Sequence, residues 1–247
     1  MPKTPTWPPK SAPRLFVTEQ LNPGSLVELS GSAAHYLSRV MRVTMGDIVI
    51  LCDNQTGEWA ADITSIGKRD VTLAVTQQLR PREQVPDFWL CPALLKKDRF
   101  DLVLEKATEL GVRAIRPVIA RRCVADKLNT DRAVSIITEA AEQCARTALP
   151  ALAPVEKLSI FLARWPAGRT LFFADENGGA PADQTFRNTR GPAALLTGPE
   201  GGFDDAERAL LLAHPEVKPI TLGPRILRGE TAAIAATALW MGVAGDW

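Results

Sequence analysis

A chain of 247 residues with a formal net charge of +1, 46% apolar and 23% charged residues has the composition of a soluble globular protein of one large or two smaller domains. A charge so near zero excludes a polyanion partner held by total charge, but leaves room for a local basic face. The four cysteines, Cys52, Cys91, Cys123 and Cys144, form no C-x-x-C pair and only two histidines accompany them, so no metal site is expected and reduced thiols of a cytoplasmic protein are.

The elements follow in chain order. Residues 1–13, dense in proline, are expected to form an extended or disordered leader without the apolar core of a signal peptide. Residues 14–79 carry short β-rich runs at Leu15–Val17, Leu26–Leu29, Asp47–Cys52, Glu58–Ile66 and Val71–Val75, separated by turn signals such as Asn22-Pro23-Gly24. Strands at this spacing predict a small barrel, interrupted by one helix over Ala33–Val40. The polar stretch 80–86 reads as a linker.

From 87 to 247 strands and helices alternate, which predicts an α/β domain with a largely parallel sheet. Strands are expected at Phe88–Leu94, Ala114–Ile119, Thr170–Ala174, Ala193–Leu196 and Lys218–Leu222. Asp98 is placed to cap a helix with Phe100, Val103, Leu104 and Ala107 on its apolar face. Three more helices are predicted at Asp131–Thr147, Asp204–Ala213 and Thr231–Val243. The apolar run 232–244 is too short to span a bilayer and reads as a buried helix.

Two glycine-rich segments carry the functional signal. The first, Leu196-Thr197-Gly198-Pro199-Glu200-Gly201-Gly202-Phe203, leaves an apolar strand. The second, Leu222-Gly223-Pro224-Arg225-Ile226-Leu227-Arg228-Gly229-Glu230-Thr231-Ala232, runs into the last helix. Open α/β sheets bind ligands at the carboxyl ends of their strands, and glycine lets the main chain approach a ligand closely. Neither segment is a Walker loop or a G-x-G-x-x-G fingerprint. One such loop alone is equally a tight turn without a ligand; the pair shifts the balance toward a ligand cradle.

Together these two segments resemble the RsmE family, SPOUT-class methyltransferases of 16S ribosomal RNA. The resemblance extends to Arg14-Leu15-Phe16-Val17, to His35 through Arg42, to Lys96-Lys97-Asp98-Arg99, to Glu105 through Val112, and to Glu139 through Cys144. Gly229 stands where a bulkier or charged residue is expected in the family, and Cys144-Ala145 where a small residue and glycine are. The resemblance implies a PUA-like β-barrel at residues 14–79 and a SPOUT α/β domain with a trefoil knot at 87–247, an exception to the rule that folds avoid knots. It implies S-adenosylmethionine as cofactor, held by Leu196, Thr197, Gly198, Pro199, Glu200, Gly201, Gly202, Leu222, Gly223, Ile226, Leu227, Arg228, Thr231 and Ala232. It further implies a homodimer that methylates N3 of a uridine, within an assembled small ribosomal subunit.

For such a transfer the site must stabilise an imide anion or accept its proton. Arg228 and Arg146 are the candidates for the first role, Glu142 and Glu230 for the second. Glu142 and Arg146 are equally an i,i+4 surface pair. Arg39, Arg42, Lys96, Lys97, Arg99, Arg121, Arg122 and Lys127 are candidates for RNA phosphate contacts, against the plain alternative of a solvated charged face. His35 and Cys144 read as structural residues. Two alternatives stay open: a methyltransferase for another base or ribose, and an RNA-binding knot protein without activity. A dinucleotide-dependent oxidoreductase is disfavoured by the missing G-x-G-x-x-G.

Overall fold

The computed structural model describes residues 12–247, so most of the Pro-rich leader lies outside the described residues. Pro13, counted with that leader, is buried, and its carbonyl accepts a hydrogen bond from Ile50 N at 2.8 Å. The chain divides into two compact units, one of residues up to Gln84 with Ala141–Ala148, the other of Val85–Ala140 with Leu149–Trp247.

In the first unit five strands form one sheet: β1 (Arg14–Phe16), β2 (Leu26–Ser30), β3 (Ile48–Cys52), β4 (Gly57–Ile66) and β5 (Asp70–Pro81). Their order is β1-β3-β4-β5-β2, with β1 parallel to β3 and the other pairs antiparallel. Alternating residues such as Val71, Leu73 and Val75 turn inward onto Leu21, Val27, Leu37, Val49 and Leu51, the pattern of a sheet with one buried face. Strand β5 runs through Arg80 and Pro81, which the sequence reading placed in a linker. Glu58 explains the extension: buried in β4, it pairs with both Arg14 and Arg80 and so holds the end of β5 in the sheet.

Between β2 and β3 the expected single helix is split. A five-residue helix α1 (Gly31–His35) passes into a π-helical turn over Tyr36–Met41, closed by Arg42 in the left-handed region at φ 54°. The wider turn lets Val43 N reach the Leu37 carbonyl at 3.1 Å, which closes the helical segment after Met41 and sends the chain toward β3.

The second unit is built on a parallel sheet. Its strands are β6 (Phe88–Pro92), β7 (Ala114–Ile115), β9 (Ala151–Leu152), β11 (Thr170–Ala174), β12 (Ala180–Pro181), β13 (Ala193–Thr197) and β14 (Val217–Thr221), in the order β12-β14-β11-β13-β6-β7-β9, while β8 (Val118–Ile119) pairs with β10 (Glu156–Lys157). The helices are α2 (Lys97–Glu109), α3 (Thr130–Gln143), α4 (Leu158–Ala163), α5 (Ala182–Arg187), α6 (Asp205–Ala213) and α7 (Gly229–Ala244). Both sheet faces are covered, so the strands read as continuous apolar runs. Phe172, Leu195, Phe88 and Ile220 face α2, α5 and α7 residues such as Leu104, Phe186 and Trp240. Leu171, Phe173, Ala194 and Leu196 point the other way, onto Phe161, Leu162 and Leu211.

Several boundaries differ from the sequence reading. Arg116-Pro117 breaks the expected strand Ala114–Ile119 into β7 and β8, since proline removes a ladder donor. Lys96, not Asp98, occupies the N-cap of α2, and Asp98 lies in its first turn. Helix α3 stops at Gln143 rather than Thr147, because Ala145 takes a left-handed φ of 61°, a conformation that glycine adopts without strain. Arg146 therefore lies beyond the helix, its N–H on the Ala141 carbonyl at 3.0 Å. Helix α6 is closed by a capping box between Asp204 and Glu207.

Asp53 anchors the first unit's loops. Its buried carboxylate accepts hydrogen bonds from Leu21 N (2.9 Å), Gln55 N (2.8 Å), Thr56 N (2.7 Å) and Thr56 Oγ1 (2.6 Å). Burial alone would raise its pKa, but the bonds from Leu21, Thr56 and Gln55 outweigh burial and hold it below the ordinary value. A depressed folded pKa contributes stability that is present above the unfolded value near about 3.9 and is lost as pH falls through the folded one. Asp53→Asn should therefore lower the unfolding free energy at pH 7 by about 1–3 kcal/mol. Urea titrations at neutral and acid pH should show the deficit shrinking as the wild-type carboxylate is protonated.

Candidate active site

Three strand-end loops meet at the carboxyl edge of the second unit's sheet. Strand β13 ends in Leu196 and Thr197, both buried, with Ala93 N donating to the Thr197 carbonyl at 2.9 Å. The chain then turns tightly through Gly198–Gly202, closed by Gly202 N on the Pro199 carbonyl at 2.9 Å. Gly202 has a φ of 65°, and a Cβ there would lie 2.6 Å from Glu176 Oε1. The second loop leaves β14 through Leu222 and Gly223 (φ 106°) and ends at Arg228, the extended N-cap of α7.

Gly229, the first residue of α7, is the point where the two loops touch. A Cβ at this position would stand 2.8 Å from Leu95 Cδ2 and 2.9 Å from the Gly198 carbonyl oxygen. The larger residue expected here from the family pattern has no room in this chain. Glycine at 229 is what lets the start of α7 press against the first loop.

The loops enclose a cavity of about 210 Å³. Of the expected cofactor residues, Gly198, Pro199, Gly202, Leu222, Gly223, Ile226, Leu227 and Ala232 line it. The others stand behind the wall. Leu196 and Thr197 belong to the sheet, Glu200 accepts a hydrogen bond from Lys96 N at 3.1 Å, and Gly201 backs onto Arg122, whose Nη1 donates to the Gly201 carbonyl at 3.1 Å. Arg228 and Thr231 are exposed at the start of α7.

Sequence reasoning missed the third wall, formed by Phe173, Ala174, Asp175, Glu176 and Asn177 at the end of β11. The available signal was a further acidic, glycine-rich turn, Asp175-Glu176-Asn177-Gly178-Gly179, directly after an apolar strand. Asp175 is buried and pairs with Arg208 at 2.8 Å. Glu176 stays exposed at the rim beside Gly202.

The catalytic candidates belong to different units. Glu230 is buried in the first turn of α7 and ion-paired with Arg99 Nη1 at 3.2 Å, a placement that the helix dipole also favours. Arg228 is next to it in the chain. Glu142 and Arg146 belong to the first unit. There Glu142 accepts a hydrogen bond from Phe16 N at 2.8 Å, and Arg146 is buried 3.4 Å from Glu83 Oε1. Burial pulls the Arg146 guanidinium below its ordinary pKa, opposed by the Glu83 carboxylate.

The basic candidates divide in the same way. Arg39 and Arg42 are exposed on the π-helical turn, and Lys96, Lys97 and Lys127 are exposed in the second unit. Arg99, Arg121 and Arg122 have protein partners: Glu230, Asp204 at 3.0 Å, and the Gly201 carbonyl. His35 and Cys144, read as structural, are both exposed.

The sequence profile of an RNA methyltransferase domain matches residues 82–241, and that of an RNA methyltransferase PUA domain matches residues 29–76. The ribosomal RNA small subunit methyltransferase E of Rickettsia conorii is 31% identical over 231 residues, covering 91% of this chain and 93% of that one. The chain belongs to this family of RNA methyltransferases. The Synechocystis member is 32% identical over 91% of this chain and 76% of its own. A methyltransferase of Legionella pneumophila solved with bound cofactor SAM superimposes with a TM-score of 0.86 at 30% identity, over 96% of this chain and 99% of that one. The Neisseria gonorrhoeae ribosomal RNA small subunit methyltransferase E, solved bound to S-adenosyl methionine, gives the same TM-score at 28% identity, over 96% and 99%.

The loop contact makes a direct prediction. Gly229→Ala should lower the unfolding free energy by about 1–3 kcal/mol through overpacking against Leu95 and Gly198. Gly242→Ala, in the same helix with nothing within 4 Å of an added Cβ, should instead raise it by up to about 1 kcal/mol. Thermal unfolding of the two variants, compared with the parent, measures both.

Proposed function

We propose that this protein transfers the methyl group of S-adenosylmethionine to N3 of a uridine in the 16S RNA of the small ribosomal subunit. The observation that supports the reading most is the convergence of three strand-end loops on one cavity, with glycine at 202 and 229 where a side chain would collide. The fold around that cavity is shared over nearly the whole chain with methyltransferases crystallised with this cofactor.

The cavity suits the cofactor chemically. Gly198, Leu222, Ile226 and Leu227 all line it, a set of small and aliphatic residues that suits an adenine ring. Glu176 and Arg225 give the rim one charge of each sign, the carboxylate beside Gly202 being the one favourable to a sulfonium. The chemistry supplied by bound S-adenosylmethionine is an activated methyl on a sulfonium. The chain's own part is positioning and charge. In this proposal Arg228 stabilises the negative charge that develops on the uracil as its N3 proton leaves, and Glu230, held by Arg99, orients the loop or takes the proton. Glu142 and Arg146 form a second candidate pair for the same two roles.

The proposal extends to a trefoil knot in the second unit, to a homodimer with the knot helices at its interface, to cytoplasmic work, and to an assembled small subunit as the substrate. Residues 14–79 are taken as the RNA-binding barrel and 87–247 as the catalytic domain, with Lys96, Lys97, Arg121 and Arg122 near the loops as phosphate contacts.

Arg228→Ala should reduce methyl transfer to purified small subunits by about 10²–10³-fold, the scale of losing one charge-stabilising donor, while thermal unfolding stays as in the parent. Mass-spectrometric mapping of 16S RNA from a deletion strain should show one N3-methyluridine missing. Loss of a different modification would move the target to another base or ribose. Parent-like turnover by the variant would remove Arg228 from the site.

A further inference from the structure

The third wall of the cavity, at the end of β11, is a short tongue of chain. Asp175, Glu176, Asn177, Gly178 and Gly179 run between β11 and β12, and the first three line the cavity. Both roots of the tongue are pinned to β14 at one residue. Asp175 N donates to the Ile220 carbonyl at 3.0 Å, and a Cβ on Gly179 would lie 2.7 Å from Ile220 N. Glu176, Asn177 and Gly178 project between these points and are exposed. Glu176 meets the first glycine loop, where its Oε1 stands against Gly202.

Asp175 sets the path of that tip. Its Oδ1 accepts a hydrogen bond from Asn177 N at 3.0 Å, and its carbonyl accepts one from Gly178 N at 3.3 Å. Its Oδ2 is taken by Arg208, with Nε at 2.9 Å and Nη2 at 2.8 Å. The Asp175 side chain is 2% exposed and that of Arg208 35%. A carboxylate so buried needs its counter-charge in place, and Arg208 supplies it. Arg208 in turn stands on a fixed base. It belongs to α6, whose start is closed by the Asp204–Glu207 capping box, and Glu207 Oε1 also accepts from Arg121 N at 2.8 Å.

A chain of contacts thus runs from α6 through Arg208 and Asp175 to the tip of the tongue. Strand β11 does not need it, being paired on both sides, with β13 and with β14. The distinct effect of the ion pair therefore falls on the tip, and the tip faces the cavity.

We infer that Asp175 and Arg208 are positioning residues for the cofactor: the pair holds Glu176 and Asn177 in place as the third wall, and Arg208 acts through Asp175 and not by touching the ligand. The inference rests on the reading of this cavity as the S-adenosylmethionine site. It adds to that reading the device that fixes the wall outside the two glycine-rich loops.

The test is a double-mutant cycle in the full-length protein, read by calorimetric titration of S-adenosylhomocysteine. Arg208→Met strands the buried Asp175 charge. Asp175→Asn removes that charge but keeps an oxygen for Asn177 N, and the double variant carries neither charge. Arg208→Met should raise the Kd by about tenfold, and adding Asp175→Asn should return it to within about threefold of the parent, because the two partners act as one unit. Arg208→Lys, which keeps a point charge but not the fork, should fall between the parent and Arg208→Met. If thermal unfolding shows that Arg208→Met does not fold, the Lys variant carries the comparison. With small subunits as substrate, Arg208→Met should raise KM for S-adenosylmethionine and leave kcat at saturating cofactor within about twofold. A parent-like Kd in the folded Arg208 variants would mean that the pair only fastens α6, and would overturn the inference. Losses that multiply in the double variant would place Arg208 on the ligand itself, and would overturn it as well. A parent that binds no S-adenosylhomocysteine would remove the cofactor reading of the cavity, and the inference with it.

Discussion

The close approach of the start of α7 to the loop after β13 is the constraint on which the site depends. It requires an absent side chain at Gly229, because the Gly198 carbonyl and the Leu95 side chain occupy the space a Cβ would need. That contact brings the loops after β13 and β14 together although β11 lies between the two strands in the sheet. The strand order places the ends of β11, β13 and β14 side by side, at the kind of crossover where open α/β sheets form crevices. Polar ties then fix the loops from outside: Lys96 N to Glu200, Arg99 to Glu230, and Arg122 to the Gly201 carbonyl. The segment Leu95–Arg99 therefore braces both loops, and its basic residues are partly structural.

This arrangement uses backbone where many sites use side chains. The residues lining the cavity are mostly glycine, proline and aliphatic, and its charged groups are Asp175, already neutralised by Arg208, with Glu176 and Arg225 toward the rim. A site of that character positions a ligand that carries its own reactivity, which is what a methyl donor requires of a protein. The chain's reactive groups are placed accordingly. Burial pushes the thiols of Cys52 and Cys91 up to about 12, so neither is a nucleophile near neutral pH.

Much of this was legible in the sequence, for identifiable reasons. The apolar runs of β11 and β13 and the breaks at Gly198 and Gly223 mark strand ends directly, and the two glycine-rich loops could be paired because they sit in consecutive strand–helix units. What stayed hidden depended on contacts distant in sequence. The extension of β5 through Arg80 depends on Glu58, and the early end of α3 on a left-handed Ala145 that no local propensity announces. The wall after β11 was missed because Asp175-Glu176-Asn177 reads as an ordinary polar turn until the sheet order sets it beside Gly202. Glu142 and Arg146 read as neighbours on one helix, yet Arg146 lies beyond the end of α3, and each has a partner distant in sequence, Phe16 N for Glu142 and Glu83 for Arg146.

The central claim, that the cavity between these three loops is the cofactor site, is tested most directly by calorimetric titration of S-adenosylhomocysteine into the parent and Gly202→Val proteins. Gly202 combines a φ of 65° with a Cβ position 2.6 Å from Glu176 Oε1, so a branched side chain there must strain the turn and displace the rim. The account predicts saturable binding to the parent and binding weakened beyond detection in a variant whose circular dichroism still reports a folded chain. Parent-like affinity in the folded variant, or no binding to the parent, would contradict it.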